Sequence, residues 1–340
     1  MNALTSGKER GDMLAMLNGH WTTQAICTPA ALGLPSLMAQ RPCDLASLAR
    51  STGTHAPSLL RLLHYLVSIG VVTLGEDGCF RLAAAGRLLD PAAPDSLHPW
   101  ALLTKARLPQ RGDLDFSVRT GKVQSRERSS TDNFSQLDDD PQAAAVFHGA
   151  MVAMTRRVAA HVLQVLRFAP SESIVDVGGG SGELLTALLK AHPTLRGAVF
   201  DLEHAREGAT AHITETALGG RCEFVAGSFF DNVPQGHDVY MLKSVLHNWD
   251  DERATLILAR CRAAMGPSAR LLIVERILSE RWAESAEHRS VAASDLRMLV
   301  GLSGRERSEK EFVALLSAAR LQPRRLLTLE GEFAVLEAVP

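Results

Sequence analysis

The sequence has little lysine, no close pair of cysteines and no long apolar run. Its five cysteines, Cys27, Cys43, Cys79, Cys222 and Cys261, are odd in number and widely spaced, with no CxxC. That spacing argues against a disulfide framework and against a structural zinc site. No segment approaches the ~20 apolar residues of a membrane span, and the N-terminal MNALTSGKERGDML lacks the apolar core of a secretion signal. The expectation is a reducing, cytoplasmic compartment and no membrane partner. An excess of one charge is missing too. The formal net charge is -2 and the pI near 6.6, so no bulk field draws the chain to nucleic acid. Six lysines stand against thirty arginines, which makes Lys243 noticeable just before the stretch SVLHNWDDE at 244–252.

At 340 residues the chain has room for two domains, and 46% hydrophobic residues suffice for a core. Three sections are legible: 1–100, 101–145 and 146–340. In the first, CDLASLAR (43–50) reads as a helix capped by Asp44. APSLLRLLHYLVSI (56–69) has apolar residues at helical period, with Pro57 tolerated in the first turn. Two short strands then flank Gly75-Glu-Asp-Gly78, a hairpin signal. Helix, turn, helix and wing suggest DNA binding. The second helix offers only Arg61, His64 and Tyr65 as groove readers, however, and phosphate contacts need several cations on one face. A packing and dimerisation module is the preferred reading. The middle section is more polar, with Ser125–Thr131 and Asp138–Pro141 as loop or cap material.

From Ser173 onward short β-rich runs alternate with helical patterns. Strands are expected at 173–177, 197–201, 222–226, 238–242, 270–275, 324–328 and 333–338. Such alternation implies a mixed, mostly parallel α/β sheet that binds ligands beyond the carboxyl ends of its strands. The first strand closes on VDVGGGSG (175–182), whose spacing is GxGxG rather than GxGxxG, with no Gly-Lys-Ser/Thr of a P-loop. The loop need not cradle a pyrophosphate, and Asp176 beside it suits a positively charged ligand. Asp201 ends the next strand, where an acid accepts from ribose hydroxyls. Gly227-Ser-Phe-Phe230 ends the third and offers an aromatic to an adenine ring. A nucleoside cofactor without diphosphate, S-adenosylmethionine, fits all three.

The chain resembles the plant and animal-type small-molecule O-methyltransferases, the caffeic acid and hydroxyindole O-methyltransferase family with its bacterial secondary-metabolite relatives. VDVGGGSG (175–182), FDL (200–202), the run from Gly227 to Glu252, LLIVERIL (271–278), DLRML (295–299) and GRERSEKEF (304–312) carry the resemblance, which covers almost the whole chain. It implies a Rossmann-like class I methyltransferase domain behind a mainly helical, winged-helix dimerisation domain, and hence a homodimer. It implies that Gly178, Gly180, Asp201, Ser228, Phe229 and Lys243 bind S-adenosylmethionine, which leaves as S-adenosylhomocysteine. Relatives usually carry Asp where this chain has Ser228. A hydroxyl there accepts from a shorter side chain, so weaker cofactor binding or a bridging water is expected.

Methyl transfer to oxygen needs alignment and removal of a proton. A phenol of pKa ~10 is mostly neutral at pH 7, and a histidine of pKa ~6.5 is free to take its proton. His247, after the strand at 238–242, is the expected base. Glu275 and Glu306 match the family's two acids beside it, with a helix cap and a surface ion pair to Arg305 or Arg307 as the alternative readings. Asp250 and Asp251 are assigned to capping the helix near Glu252, and Trp249 to the core. The resemblance places Phe147, Met151, Asn248, Arg297 and Met298 at the substrate, a small aromatic molecule. No metal is expected. Rival readings are a nitrogen acceptor, a repurposed non-methylating relative, and a regulator that senses the cofactor.

Overall fold

The computed structural model describes residues 7–108, 114–123, 141–302 and 304–340. The polar stretches at 125–131 and 138–140 lie outside the described residues. The chain divides into two compact units, Met1–Gln110 with Ala145–Ala153, and Arg111–Ala144 with Met154–Pro340.

In the first unit, helices run over Gly7–Leu17, Gly19–Ala31, Leu34–Gln40, Leu45–Thr52, Ala56–Ser68 and His98–Arg107. Asp44 caps the fourth: its carboxylate accepts from Ser47 N at 2.8 Å, and Gly53 ends that helix in the left-handed region. The hairpin is β1 (Val72–Leu74) against β2 (Phe80–Leu82), and Cys43 bridges to Phe80. Leu34, Leu48, Leu63, Leu66 and Phe80 are buried together, each worth about 1.5–3 kcal/mol of apolar transfer. Arg61, His64 and Tyr65 face solvent from the helix Ala56–Ser68.

The second unit is a doubly wound sheet. Its strands are β3 (Ser173–Val177), β4 (Arg196–Asp201), β5 (Cys222–Ala226), β6 (Val239–Lys243), β7 (Arg270–Leu278), β8 (Arg307–Ser308), β9 (Gln322–Thr328) and β10 (Phe333–Val339). Their order is β5-β4-β3-β6-β7-β10-β9, with β8 on the end of β7. Strands β5 to β7 run parallel, and β10 pairs antiparallel with both β7 and β9. Alternate residues feed two cores: Val175, Val177, Tyr240 and Leu242 on one face, Ile174, Val199, Val239 and Met241 on the other. Strands buried on both faces read as near-continuous apolar runs.

Strand order reverses between β3 and β6. In open α/β sheets that crevice, outside the carboxyl ends, is where ligands bind. The glycine loop follows β3 there, and the turn carrying His247 follows β6.

Three features differ from the sequence reading. β7 continues to Leu278, so Glu275 stands inside a strand, because β10 and β8 both pair with its last residues. A 25-residue helix, Pro141–Val165, and a second, Ala286–Gly301, were not expected from periodicity. On Ala286–Gly301 only Val291 and Ser294 are buried, one of them polar, so the helix carries no clean apolar stripe for periodicity to detect.

Candidate active site

The glycine loop is built over an acid. Asp176 is 2% exposed, and its Oδ1 makes no hydrogen bond. A Cβ on Gly179 would lie 2.8 Å from the Asp176 carboxyl carbon, so only glycine lets the loop close over it. Burial pushes the Asp176 carboxyl up to about 7; Lys243 pulls it down and Asp201 pushes it up. Asp201, at the end of β4, ties the loop from the other side. Its carboxylate accepts from Gly180 N at 2.8 Å and from Leu202 N at 2.7 Å.

Phe229 faces this loop: a Cβ on Gly178 would stand 3.5 Å from its ring. The Phe229 ring packs edge-on to Phe230 and Trp249, at 4.9 and 6.2 Å between centroids. Ser228 Oγ accepts from Phe230 N at 3.2 Å. Lys243 is half-buried, with its Nζ donating to Thr155 Oγ1 at 3.0 Å and lying 6.0 Å from the Phe333 ring centre. Burial pulls its ammonium down to about 8, against the opposing charges of Glu275 and Asp176.

The chain leaves β6 through Ser244, held at φ 54, a left-handed conformation that costs a non-glycine residue about 1 kcal/mol or more. That bend swings three successive N–H groups toward Glu275. Its Oε1 accepts from Val245 N and Leu246 N at 2.9 Å and from His247 N at 3.4 Å. The other oxygen, Oε2, lies 3.3 Å from His247 Nδ1 without an aligned hydrogen bond. One Glu275 oxygen holds the turn, and the other faces the imidazole.

Glu306 meets the imidazole through one oxygen. Its Oε1 stands 3.2 Å from His247 Nδ1 and accepts from Ser294 Oγ at 2.7 Å, while its backbone N–H donates to Asp295 Oδ1 at 2.9 Å. The surface ion pair considered for it goes elsewhere: Arg305 pairs with Glu311 and Asp251, and Arg307 with Asp251. Burial works against a charged imidazole, but Glu275 and Glu306 outweigh it and raise the His247 ionisation above its ordinary 6.5. Burial raises Glu275; at Glu306 the bonds from His247 and Ser294 overcome burial and lower it. With Nδ1–H given to Glu306, the neutral ring keeps its lone pair on Nε2, which has no hydrogen-bond partner among the described residues.

The same three side chains offer ligand atoms within 4.8 Å of one another, a donor set that suits a divalent metal. Nδ1 and Glu306 Oε1 already share a hydrogen bond, and that geometry favours a proton between them over a cation.

Asn248 gives its amide to Ser244 O at 3.1 Å. Met298 is half-buried on the helix Ala286–Gly301 and Arg297 beside it is exposed. Phe147 and Met151 belong to the first unit and are half-buried, Phe147 under the Arg107 guanidinium at 5.5 Å. Asp250 caps its helix through Arg253 N at 2.9 Å. Sequence reasoning missed Ser294, Asp295, Gly304 and the part played by Arg307. Their only sequence signal is their position inside DLRML and GRERSEKEF or just before them.

A glycine loop and a buried His–Glu–Glu cluster at the switch point of a doubly wound sheet define a Rossmann-like methyltransferase. Family models agree: an O-methyltransferase domain matches residues 111–322, and an O-methyltransferase dimerisation domain matches residues 14–90. The phenazine O-methyltransferase of Lysobacter antibioticus is 36% identical over 96% of this chain and 95% of its own. An 8-amino-8-demethylriboflavin N,N-dimethyltransferase of Streptomyces davaonensis is 33% identical over 85% of this chain and 84% of its own. A crystal structure of an O-methyltransferase from neocarzinostatin biosynthesis, in complex with S-adenosylmethionine and 2-hydroxy-5-methyl naphthoic acid, superposes with a TM-score of 0.79 at 32% identity, covering 94% of this chain and 95% of that one. The chain belongs to the O-methyltransferase family and is an S-adenosylmethionine-dependent O-methyltransferase.

Proposed function

We propose that the enzyme methylates a hydroxyl on a small aromatic specialised metabolite, with His247 as general base and Glu275 and Glu306 as its supports. One observation carries this reading: Nδ1 of His247 is engaged by Glu306 while Nε2 has no partner among the described residues, at the ligand-binding end of the sheet. A base needs that arrangement, because the fixed nitrogen selects the tautomer and the free one accepts. The two carboxylates then stabilise the imidazolium once it holds the acceptor's proton.

The residues present fit S-adenosylmethionine. The glycines admit a close ligand, the orphaned Asp176 oxygen lies beneath them, and Asp201 and Phe229 flank them. Gly178, Gly180, Asp201, Ser228 and Phe229 would contact it, with Asp176 and Lys243 setting the charge below. When bound, the cofactor supplies an electrophilic methyl group on a sulfonium. Met298 and Asn248 are the proposed acceptor contacts; Arg297 would meet a carboxylate or carbonyl. Domain limits of 1–100, 101–145 and 146–340 and a homodimer through the N-terminal helices complete the reading.

The test follows a labelled methyl from S-adenosylmethionine into a panel of phenols, hydroxyquinolines and nitrogen heterocycles, with wild type beside His247→Ala. Label on oxygen, lost in the variant, supports the base. A second reading, a nitrogen acceptor, draws on the relative that dimethylates an amino group. It expects label on nitrogen and turnover nearly indifferent to His247→Ala.

A further inference from the structure

His247 rides on a three-residue turn, Leu246–Asn248, held at its two ends by opposite charges. Glu275 takes the N–H end, as described. At the other end Arg307 Nη1 donates to Leu246 O at 2.9 Å and Nη2 to Trp249 O at 2.8 Å. The Arg307 side chain is 0% exposed. Its Nε and Nη2 also donate to Asp251 Oδ1, at 2.9 and 2.8 Å, in the first turn of the helix Asp251–Ala264. A turn carries partial positive charge on its free N–H groups and partial negative charge on its carbonyls. A carboxylate on the first and a guanidinium on the second both favour this one conformation.

Two neighbours tighten the hold. Gly304 lies against the next peptide: a Cβ there would stand 2.0 Å from His247 O and 2.5 Å from Asn248 C. Arg307 pairs with Ile277 in the β7–β8 ladder, and it follows Glu306 directly. The register that brings Glu306 to the imidazole therefore brings Arg307 to the carbonyls.

We infer that Arg307 is a positioning residue for His247, holding the turn through the carbonyls of Leu246 and Trp249 so that Nδ1 stays on Glu306 and Nε2 stays free. The planar fork is what the task needs, since it serves two carbonyls and a carboxylate at once. A lysine ammonium is a point charge that cannot span them. This inference rests on the reading of His247 as the base.

The groups facing the imidazole are Glu275 and, at longer range, Arg276 from β7, and Glu306 from the segment entering β8. Loosening the turn weakens its contact with the carboxylates, so the His247 ionisation reports on Arg307 without any acceptor present. The experiment is NMR titration of the full-length protein labelled at histidine, with the His247 ring signal identified by its loss in His247→Asn. Wild type is expected to titrate above 6.5. Arg307→Lys and Arg307→Gln are expected to move it down by about half a pH unit or more and to broaden the signal. Asp251→Asn, whose carboxylate is 57% exposed, is expected to give a smaller shift in the same direction and serves if the Arg307 variants do not fold. With an acceptor in hand, Arg307→Lys lowers kcat on the order of 10²-fold with KM little changed. An unaltered His247 titration in every folded variant overturns the inference. Full methyl transfer by His247→Asn sinks the reading of His247 as base, and the titration still judges whether Arg307 positions the ring.

Discussion

Glu306 Oε1 lies 3.2 Å from Nδ1 of His247, and the same oxygen takes a hydrogen bond from Ser294 at 2.7 Å. The carboxylate is thus pinned before it meets the ring. Pinning keeps it charged in a buried place, and that charge, with Glu275, raises the His247 ionisation above 6.5. A base must be neutral to act, so the rate rises with pH through that raised value. Glu306→Gln removes one charge. Its rising limb is expected at lower pH than wild type, with a plateau on the order of 10²-fold lower. The sign for stability is opposite. A histidine raised on folding contributes stability that is full below ~6.5 and lost as pH rises through its folded value. Melting temperatures of wild type and His247→Asn across that window should converge toward alkaline pH. Parallel melting curves, or an unmoved limb in Glu306→Gln, would count against the charge argument.

Removing divalent metal should leave methyl transfer unchanged. The cluster His247–Glu275–Glu306 has metal-ligand spacing, but a metal on Nδ1 would displace the hydrogen bond to Glu306 and strand Ser294. Dialysis against a strong chelator, followed by the labelled-methyl assay, decides it. Activity lost on chelation and restored by added zinc or iron would make the cluster a metal site instead.

Cofactor affinity should depend on pH through Asp176. Its carboxyl is pushed up to about 7 by burial, with Lys243 and Asp201 as its charged neighbours. The folded state holds this proton far more tightly than an unfolded Asp near 3.8, so stability falls as pH rises between those values. A cationic ligand above the loop favours the ionised acid, and S-adenosylmethionine is expected to bind more tightly at about pH 7.5 than at about pH 6. Calorimetric titration should show that slope in wild type and a flatter one in Asp176→Asn. Equal slopes would remove Asp176 from the cofactor site.

Much of this was legible from residues. The glycine loop and the strands at 173–177 and 222–226 fall where the alternation of short β-rich runs with helical patterns put them. His247, Glu275 and Glu306 meet although 28 and 31 residues apart in turn, a meeting that only family resemblance suggested. What no local pattern carries is the use of a buried polar group. Arg307 reads as a surface arginine in GRERSEKEF, yet it is fully buried, because the carbonyls it serves come from Leu246 and Trp249, about sixty residues earlier. Glu275 shows the same limit, since one carboxylate both holds the turn and faces the imidazole, positions that the sequence offers as alternatives.

Ser228→Asp should tighten cofactor binding. Among the described residues Ser228 Oγ reaches only the Phe230 amide, at 3.2 Å, whereas a carboxylate there extends further and accepts more strongly. One added charge-assisted hydrogen bond is worth about 1.5–3 kcal/mol at most, so a gain in affinity on the order of 10-fold is the expected scale. Calorimetry with S-adenosylmethionine reads it directly. An unchanged or weaker affinity would mean that the hydroxyl is tuned to this loop and does not replace a stronger partner.

The N-terminal helices should be buried against a second copy in solution. Met13, Leu14, Met16, Leu17 and Trp21 are all exposed on Gly7–Leu17 and the start of Gly19–Ala31. Five large apolar side chains this close together form a patch that a monomer rarely leaves in water. They fall within or beside the residues matched by the family's dimerisation domain, 14–90. Sedimentation of the wild type is expected at twice the chain mass of 36.7 kDa. Met16→Glu combined with Trp21→Ser places charge and loses area in the patch, and should shift the protein to the single-chain mass. The folded core of Leu34, Leu48, Leu63 and Leu66 is untouched by either change, so the helical circular dichroism should persist. A dimer that survives both substitutions would show that the second copy is held by another surface.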